Sequence, residues 1–153
     1  MDIRKEIIIN AELSLVWKAW TESERIIKWF APAAEIDPRE NGKFELYFSP
    51  DNKDMMSTKG CRILQYKEPT LLEFEWKGPD PFAGVMNDEN NLTTVSVEFE
   101  SLNEMTKVTL IHQGWKDTEE YSHAREWHVQ AWEQMLKSLK SNMESGEGIL
   151  CCQ

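Results

Sequence analysis

The C-terminal segment from Glu119 to about Ser145 contains no glycine and no proline, so it can form one continuous helix. At 1.5 Å per residue, this helix is about 40 Å long. We expect Asp117 or Thr118 to cap its start and Gly146 to end it. Its apolar stripe consists of Ala124, His128, Ala131, Trp132, Met135, Leu136, Leu139 and Met143. A helix with a stripe of this length needs a large apolar surface to pack against.

Residues 34–113 are predicted to supply that surface, because their hydrophobic pattern has a period of two, which is typical of strands. The alternation is clearest where Val95, Val97 and Phe99 fall on one face. Short turns such as Asn41–Gly42 join consecutive segments, which makes neighbouring strands antiparallel. We therefore predict an α+β fold in which a strongly curved sheet of about six to seven strands wraps around the terminal helix. Its inner face is apolar, and its outer face meets water.

Two short helices are predicted between the first strand, Ile3–Ile9, and the rest of the sheet. The first helix should start at a cap on Asn10 or Ser14. Its apolar face has helical spacing and contains Leu13, Val16, Trp17 and Trp20. Thr21 and Glu24 have the spacing of a capping box, which predicts a second helix that starts where the first stops.

The length and composition of the chain indicate one domain over residues 1–146, followed by a flexible tail over 147–153 that contains Cys151 and Cys152. Lys and Arg number 17 against 27 Asp and Glu, for a net charge of −10. This balance argues against nucleic acid and anionic membrane surfaces as partners. No apolar run is long enough to span a membrane, and Met1–Glu6 lacks the layout of a signal peptide. We expect a cytoplasmic monomer.

Several short motifs, taken in order, are similar to one known family. They are Val16–Trp17–x–Ala19–Trp20–Thr21, Trp29–Phe30–Ala31–Pro32, Gly42–x–Phe44, Gly60 with Pro69, Leu72, Phe74 and Trp76, His112–x–Gly114–Trp115, and Trp132–x–x–x–Leu136–x–x–Leu139. The chain from roughly Ile3 to Glu144 resembles the helix-grip fold of the START/SRPBCC superfamily. Within it, the chain resembles the family named after the activator of the heat-shock protein 90 ATPase.

The resemblance implies a cavity between sheet and helix, of the kind that binds lipids, polyketide-like aromatics or phenolics in many superfamily members. Some members are cyclases or dehydratases. The eukaryotic namesake is a co-chaperone with a second domain that this sequence does not contain. Ala131 stands where members often have glycine, and its methyl group is expected to narrow the cavity.

The histidines give no metal site by spacing. His123 and His128 are five residues apart, which places their rings about 140° apart on a helix, so we expect a solvated helix face. His112 lies on the inward face at a strand end. A structural histidine, a polar ligand anchor and a general base all remain open for it. Cys61 after Gly60 is predicted to be a buried, inert thiol. No phosphate-binding loop or Gly–x–Ser–x–Gly motif is present, and no metal or cofactor is expected.

Three functions remain open at this point. The first is a non-enzymatic module that binds an apolar small molecule, with polar anchors at His112 and Arg62 and with walls from Phe44, Leu46, Phe48, Phe74, Trp76, Val97, Leu110, Trp127, Ala131 and Met135. The second is a co-chaperone-like domain whose acidic surface docks a chaperone segment. The third is a cyclase or dehydratase that uses the cavity as a mould. A filled interior with room for no more than a water molecule would count against the first.

Overall fold

Seven strands and five helical segments make up residues 1–146, the part of the chain that the computed structural model describes. In chain order they are β1 (Ile3–Ile9), α1 (Leu13–Thr21), α2 (Ser23–Ile26), β2 (Ala33–Ile36), β3 (Phe44–Tyr47), β4 (Ile63–Lys67), β5 (Leu71–Trp76), a 3₁₀ turn (Asp80–Phe82), α3 (Ala83–Met86), β6 (Thr93–Leu102), β7 (Met105–Gln113) and α4 (Glu119–Ser145). The predicted tail, with Cys151 and Cys152, lies outside the described residues.

All strand pairs are antiparallel, as the short turns predicted. Five strands form one sheet in the order β1-β7-β6-β5-β4, and β2 and β3 form a second, two-stranded sheet. Isolated bridges from Lys43 to Arg62 and from Tyr47 to Ser57 join β3 to the segment that precedes β4. The inward side chains of β5, β6 and β7 are buried against α4 and the short helices. The α+β fold with a curved sheet and a long terminal helix is confirmed.

The terminal helix has the predicted ends. The Thr118 hydroxyl oxygen accepts a hydrogen bond from the Tyr121 backbone N–H at 3.1 Å, and Gly146 adopts the left-handed conformation at φ 81°. Its predicted stripe faces the core, where Ala124, Trp132 and Leu139 are buried. Local sequence was sufficient here, because caps and periodicity act within a few residues.

The starts of the first two helices differ from the prediction. The residue before α1 is Glu12, and the residue before α2 is Glu22; neither caps its helix with a side chain. The predicted capping box at Thr21 is wrong, because the buried Thr21 hydroxyl donates to the Trp17 carbonyl at 3.0 Å within α1. In the last turn of α1, bonding back to that carbonyl competes with capping the next helix.

The outer face of β3 also departs from expectation. The outer face of the sheet was expected to meet water, yet Tyr47 and Glu45, which alternate with the apolar residues of β3, are both buried. The Tyr47 hydroxyl contacts the carboxylates of both Glu45 and Glu35, and the Gly60 N–H donates to Glu45 Oε2 at 3.0 Å. These contacts arise because the β3–β4 loop folds over β3, which the alternating pattern cannot indicate.

Residues 78–91 lie between β5 and β6 and contain the 3₁₀ turn and α3. This connection is anchored by Met86, which is buried, while Phe82 and Val85 pack on the core from outside. It contacts α4 through Phe82, whose ring lies 6.1 Å from that of Trp127. The connection therefore forms part of the wall of the site described next.

Candidate functional site

A narrow cleft opens between α4, the β3–β4 loop and the residues that follow β5. We call it the aromatic cleft; its walls are almost entirely apolar and are formed by Phe30, Phe48, Met56, Ser57, Trp76, Lys77, Gly78, Pro79, Trp127, His128, Ala131, Trp132 and Met135. The space inside is about 30 Å³. At roughly 10–15 Å³ per water-sized probe, this is room for about two water molecules.

Three aromatic side chains from different elements form the floor. The rings of Trp76 on β5 and Trp132 on α4 lie 5.0 Å apart, and Phe30, which follows α2, lies 5.6 Å from Trp132 and 6.0 Å from Trp76. These tilted and edge-on contacts are typical of well-packed aromatic clusters. They fill most of the space between sheet and helix, so the interior cavity implied by the resemblance is reduced to this small cleft at the edge.

His128 lies beneath the cleft with both ring nitrogens engaged. The Trp76 Nε1–H donates to His128 Nε2 at 3.0 Å, and His128 Nδ1 lies 2.7 Å from the Ala124 carbonyl oxygen. An indole can only donate and a carbonyl can only accept, so the proton must be on Nδ1. Burial lowers the pKa of His128 to about 4, so the ring is neutral at physiological pH.

His112 forms a second, parallel network. The Trp132 Nε1–H donates to His112 Nδ1 at 3.0 Å, which leaves the proton on Nε2 to donate to the Thr93 hydroxyl at 2.8 Å. Burial, followed by the nearby His128, holds the pKa of His112 well below its usual value. Both histidines are thus neutral, and both are fully used in orienting the tryptophans of the cleft.

Five of the twelve predicted site residues line the aromatic cleft: Phe48, Trp76, Trp127, Ala131 and Met135. Six others are buried behind it: Phe44, Leu46, Phe74, Val97, Leu110 and His112. Arg62 lies elsewhere. Its exposed guanidinium lies 3.9 Å from the Glu75 carboxylate on the surface, and it does not line the cleft as the expected polar anchor.

The sequence interpretation missed eight lining residues. His128 was expected on a solvated helix face and is instead buried, although its place in the apolar stripe was the signal against that expectation. Trp132 lies beside Ala131 and could have been found by the same spacing. Met56, Ser57, Gly78 and Pro79 come from loops, and no local pattern brings loops together.

Among the described residues, Cys61 and the metal-ligating side chains provide no further candidate site. Cys61 is buried, and burial raises its pKa, so the thiol is protonated at neutral pH. Within residues 1–146, no group of three or more His, Cys, Asp or Glu side chains is arranged to hold a metal ion. In the same part of the chain, no helix combines the length and the apolarity needed to cross a membrane.

The antiparallel sheet around a long terminal helix, with two short helices after the first strand, is the helix-grip architecture of the START/SRPBCC superfamily. Residues 10–144 match the family model described as "Activator of Hsp90 ATPase homolog 1-like protein". The chain belongs to this family. A comparison with curated proteins finds no match.

Solved structures with the same fold have diverse descriptions. Protein SSP2350 from Staphylococcus saprophyticus is 19% identical at a TM-score of 0.73, over 97% of this chain and 96% of that one. PFC0360w, described as an HSP90 activator from Plasmodium falciparum, is 21% identical at 0.68, over 91% and 93%. DynU16, described as a protein in the dynemicin biosynthetic locus, is 15% identical at 0.70, over 95% of this chain and 48% of that one. At these identities the similarity establishes the fold.

Proposed function

We propose that this protein binds an apolar small molecule in the aromatic cleft. The observation that carries the proposal is a nearly wholly apolar cleft, walled by aromatic rings, that opens to solvent beside a 38% exposed Trp127. A large exposed aromatic side chain at the mouth of an apolar cleft is a common feature of ligand sites. Covering these walls would gain about 25 cal/mol per Å² of apolar surface before the costs of association.

The present volume requires the cleft to widen around any ligand larger than a few atoms. Two loops meet at its mouth through reciprocal bonds. The Met56 N–H donates to Asp80 Oδ1 at 3.0 Å, and the Asp80 N–H donates to Met56 Sδ at 3.3 Å. Met56 and Met135 are unbranched and adaptable, and Trp127 is partly exposed, so these walls can move at low cost. We therefore expect ligand to enter by separating the two loops.

The histidines support a role without catalysis. A general base needs a free ring nitrogen within reach of the proton it removes. Both nitrogens of His112 and of His128 are engaged by protein groups, and removing either from its network would leave a buried indole N–H without a partner.

The test is a titration with a panel of lipids and polyphenols, followed by the indole N–H resonances of Trp127 and Trp132 and by thermal stabilisation. Ala131→Phe should fill the cleft and abolish binding while the fold is kept. Gln130→Phe is the matched control, because it adds the same ring on the exposed side of α4. If no compound shifts these resonances, or if Ala131→Phe binds as well as the parent, the cleft is not the binding site.

We propose co-chaperone activity as a second candidate, supported by membership of the activator family and by the HSP90-activator description of one structural neighbour. The net charge of −10 would suit a basic docking partner. Stimulation of the ATPase of the cognate heat-shock protein 90, together with a pull-down, tests this role. Absence of both effects would reject it.

A further inference from the structure

The floor of the aromatic cleft has no free donor for an anionic ligand. The Trp76 and Trp132 indole N–H groups donate to His128 and His112. His128 Nδ1–H is held by the Ala124 carbonyl, and both histidines are neutral. A carboxylate or phenolate buried against this floor would lose its hydration without gaining a hydrogen bond from the floor, which is costly.

The basic side chain among the described residues that line the cleft, Lys77, is already committed. Its ammonium group donates to Glu89 Oε1 at 2.5 Å and to the Lys59 carbonyl at 2.6 Å. The Lys77 side chain is only 14% exposed, so it is held in this position by its surroundings. An incoming anion would have to displace a carboxylate from it, and the cleft therefore lacks a charge that attracts anions.

One carboxylate, that of Asp80, lies next to the residues that line the cleft. Asp80 follows the lining residue Pro79, and its Oδ1 accepts a hydrogen bond from the backbone of Met56, another lining residue. Among the described residues, no cation lies within ion-pair distance of the Asp80 carboxylate. Phe48, Trp76 and Trp127 add aromatic walls, and the face of an aromatic ring attracts cations within about 6 Å of its centroid.

We propose that the aromatic cleft selects hydrophobic cations, that is, small molecules with an apolar or aromatic body and one positively charged nitrogen. This inference rests on the proposed function of the cleft and adds the charge of its ligand. The body lies between the aromatic walls, and the charged nitrogen stays at the mouth, near Asp80 and in contact with water. Full burial of an unpaired charge is avoided in this arrangement.

The experiment compares three probes that share a ten-carbon chain: decyltrimethylammonium, decanol and decanoate, each below its micellar concentration. Binding is followed by the Trp127 and Trp132 indole resonances at near-physiological ionic strength. We expect the ammonium to bind most tightly and decanoate at least about tenfold more weakly than the ammonium. Ala131→Phe should weaken all three, which separates binding in the cleft from adsorption to the acidic surface.

Asp80→Asn tests the local charge. Asparagine keeps the oxygen that accepts from Met56, so the mouth retains its bonds and loses only the negative charge. We expect about a three- to tenfold loss of affinity for the ammonium and no change for decanol. Glu104→Gln removes the same charge in the β6–β7 turn, which contributes no residue to the cleft, and it should change neither.

The outcomes are distinct. Equal affinities for the three probes, or tighter binding of decanoate, would overturn the charge preference while leaving the proposed function intact. An equal loss in Asp80→Asn and Glu104→Gln would mean that net charge, and not the mouth of the cleft, attracts the cation, which also overturns the proposal. Unchanged indole resonances with all three probes would count against the proposed function itself.

Discussion

His112 and His128 each hold one tryptophan of the cleft in place, and both remain neutral because they are buried. Their tautomers follow from their partners, since an indole can only donate. This arrangement makes the fold sensitive to acid. Below pH 6.5 the unfolded histidines bind protons, whereas the folded ones do not until about pH 4 for His128.

We therefore predict that the free energy of unfolding falls as the pH is lowered from about 6.5 toward 4. His128 should account for about 2 kcal/mol of the loss by pH 5, and His112 adds to the loss in the same direction. Urea unfolding at pH 7, 6 and 5 measures it. His128→Gln should make the slope shallower, because the His128 contribution is removed. A stability that is flat over this range would contradict the prediction.

Two carboxylates with lowered pKa values, Glu6 and Glu144, titrate below this window. A hydrogen bond from Lys107 lowers the pKa of Glu6, and the backbone N–H of Asn10 lowers the pKa of Glu144, so both titrate below their usual range. Their contribution to stability is lost only as the pH falls toward and below about 4.5, the unperturbed value. These two carboxylates therefore do not account for a loss of stability between pH 6.5 and 5.

Glu45 is another residue whose effect on the stability of the fold depends on its surroundings. It is only 7% exposed, and Tyr47 and the Gly60 N–H supply its hydrogen bonds. Tyr47→Phe should destabilise the fold by about 1–3 kcal/mol, because it leaves a buried carboxylate short of a donor. Chemical denaturation measures the change. Tyr66→Phe is the control, since the Tyr66 hydroxyl makes no hydrogen bond within the described residues, and an equal loss there would point to packing instead.

At the scale of elements, the β2–β3 hairpin depends on a close backbone approach in its connection. A Cβ atom at Gly42 would lie 2.1 Å from the Asp37 carbonyl oxygen, whereas one at Gly84 in α3 would meet nothing within 4 Å. Because the atom in the way at Gly42 is backbone, it cannot rotate aside. The two glycines thus form a matched pair for one substitution.

Gly42→Ala should lower the free energy of unfolding by about 1–3 kcal/mol, the usual range for inserting a group into filled space. Gly84→Ala should raise it by about 0.5–1 kcal/mol, because alanine loses less backbone entropy in a helix. Urea unfolding of both variants checks the pair. Equal changes in the free energy of unfolding would show that the hairpin connection can move to accommodate the methyl group added at Gly42.

Elements also differ in how far local sequence decides them. The ends of α4 were predicted because Thr118 and Gly146 act on neighbouring backbone groups. The start of α2 was not, since the Thr21 hydroxyl satisfies the Trp17 carbonyl in preference to the next helix. The burial of the outer face of β3 was missed because the loop that covers it has no periodic hydrophobic pattern of its own.

At the scale of the whole molecule, net charge is the dominant long-range term. A charge of −10 repels itself in the compact state, while surface ion pairs within residues 1–146, such as Lys59–Asp54, each contribute little. Raising the ionic strength from about 0.01 M to 0.15 M shortens the Debye length from about 30 Å to 8 Å.

We predict that this change, made with sodium chloride at neutral pH, raises the melting temperature by about 2–4 °C, which corresponds to roughly 1 kcal/mol for a chain of this size. Scanning calorimetry across a salt series measures it. A melting temperature that falls with added salt would mean that ion pairs outweigh repulsion.

The amino-acid pattern by itself determined the α+β class, the antiparallel neighbours, the terminal helix with its caps, and five residues of the cleft wall. These depend on periodicity and on contacts within a few residues, both of which can be read along the chain. Only the tertiary structure decided the small volume of the cleft, the pairing of His112 and His128 with tryptophans, and the junction of Met56 with Asp80. Those features depend on which side chains fill the interior and on which polar groups pair with one another, and the partners are far apart in sequence. No local pattern records that match.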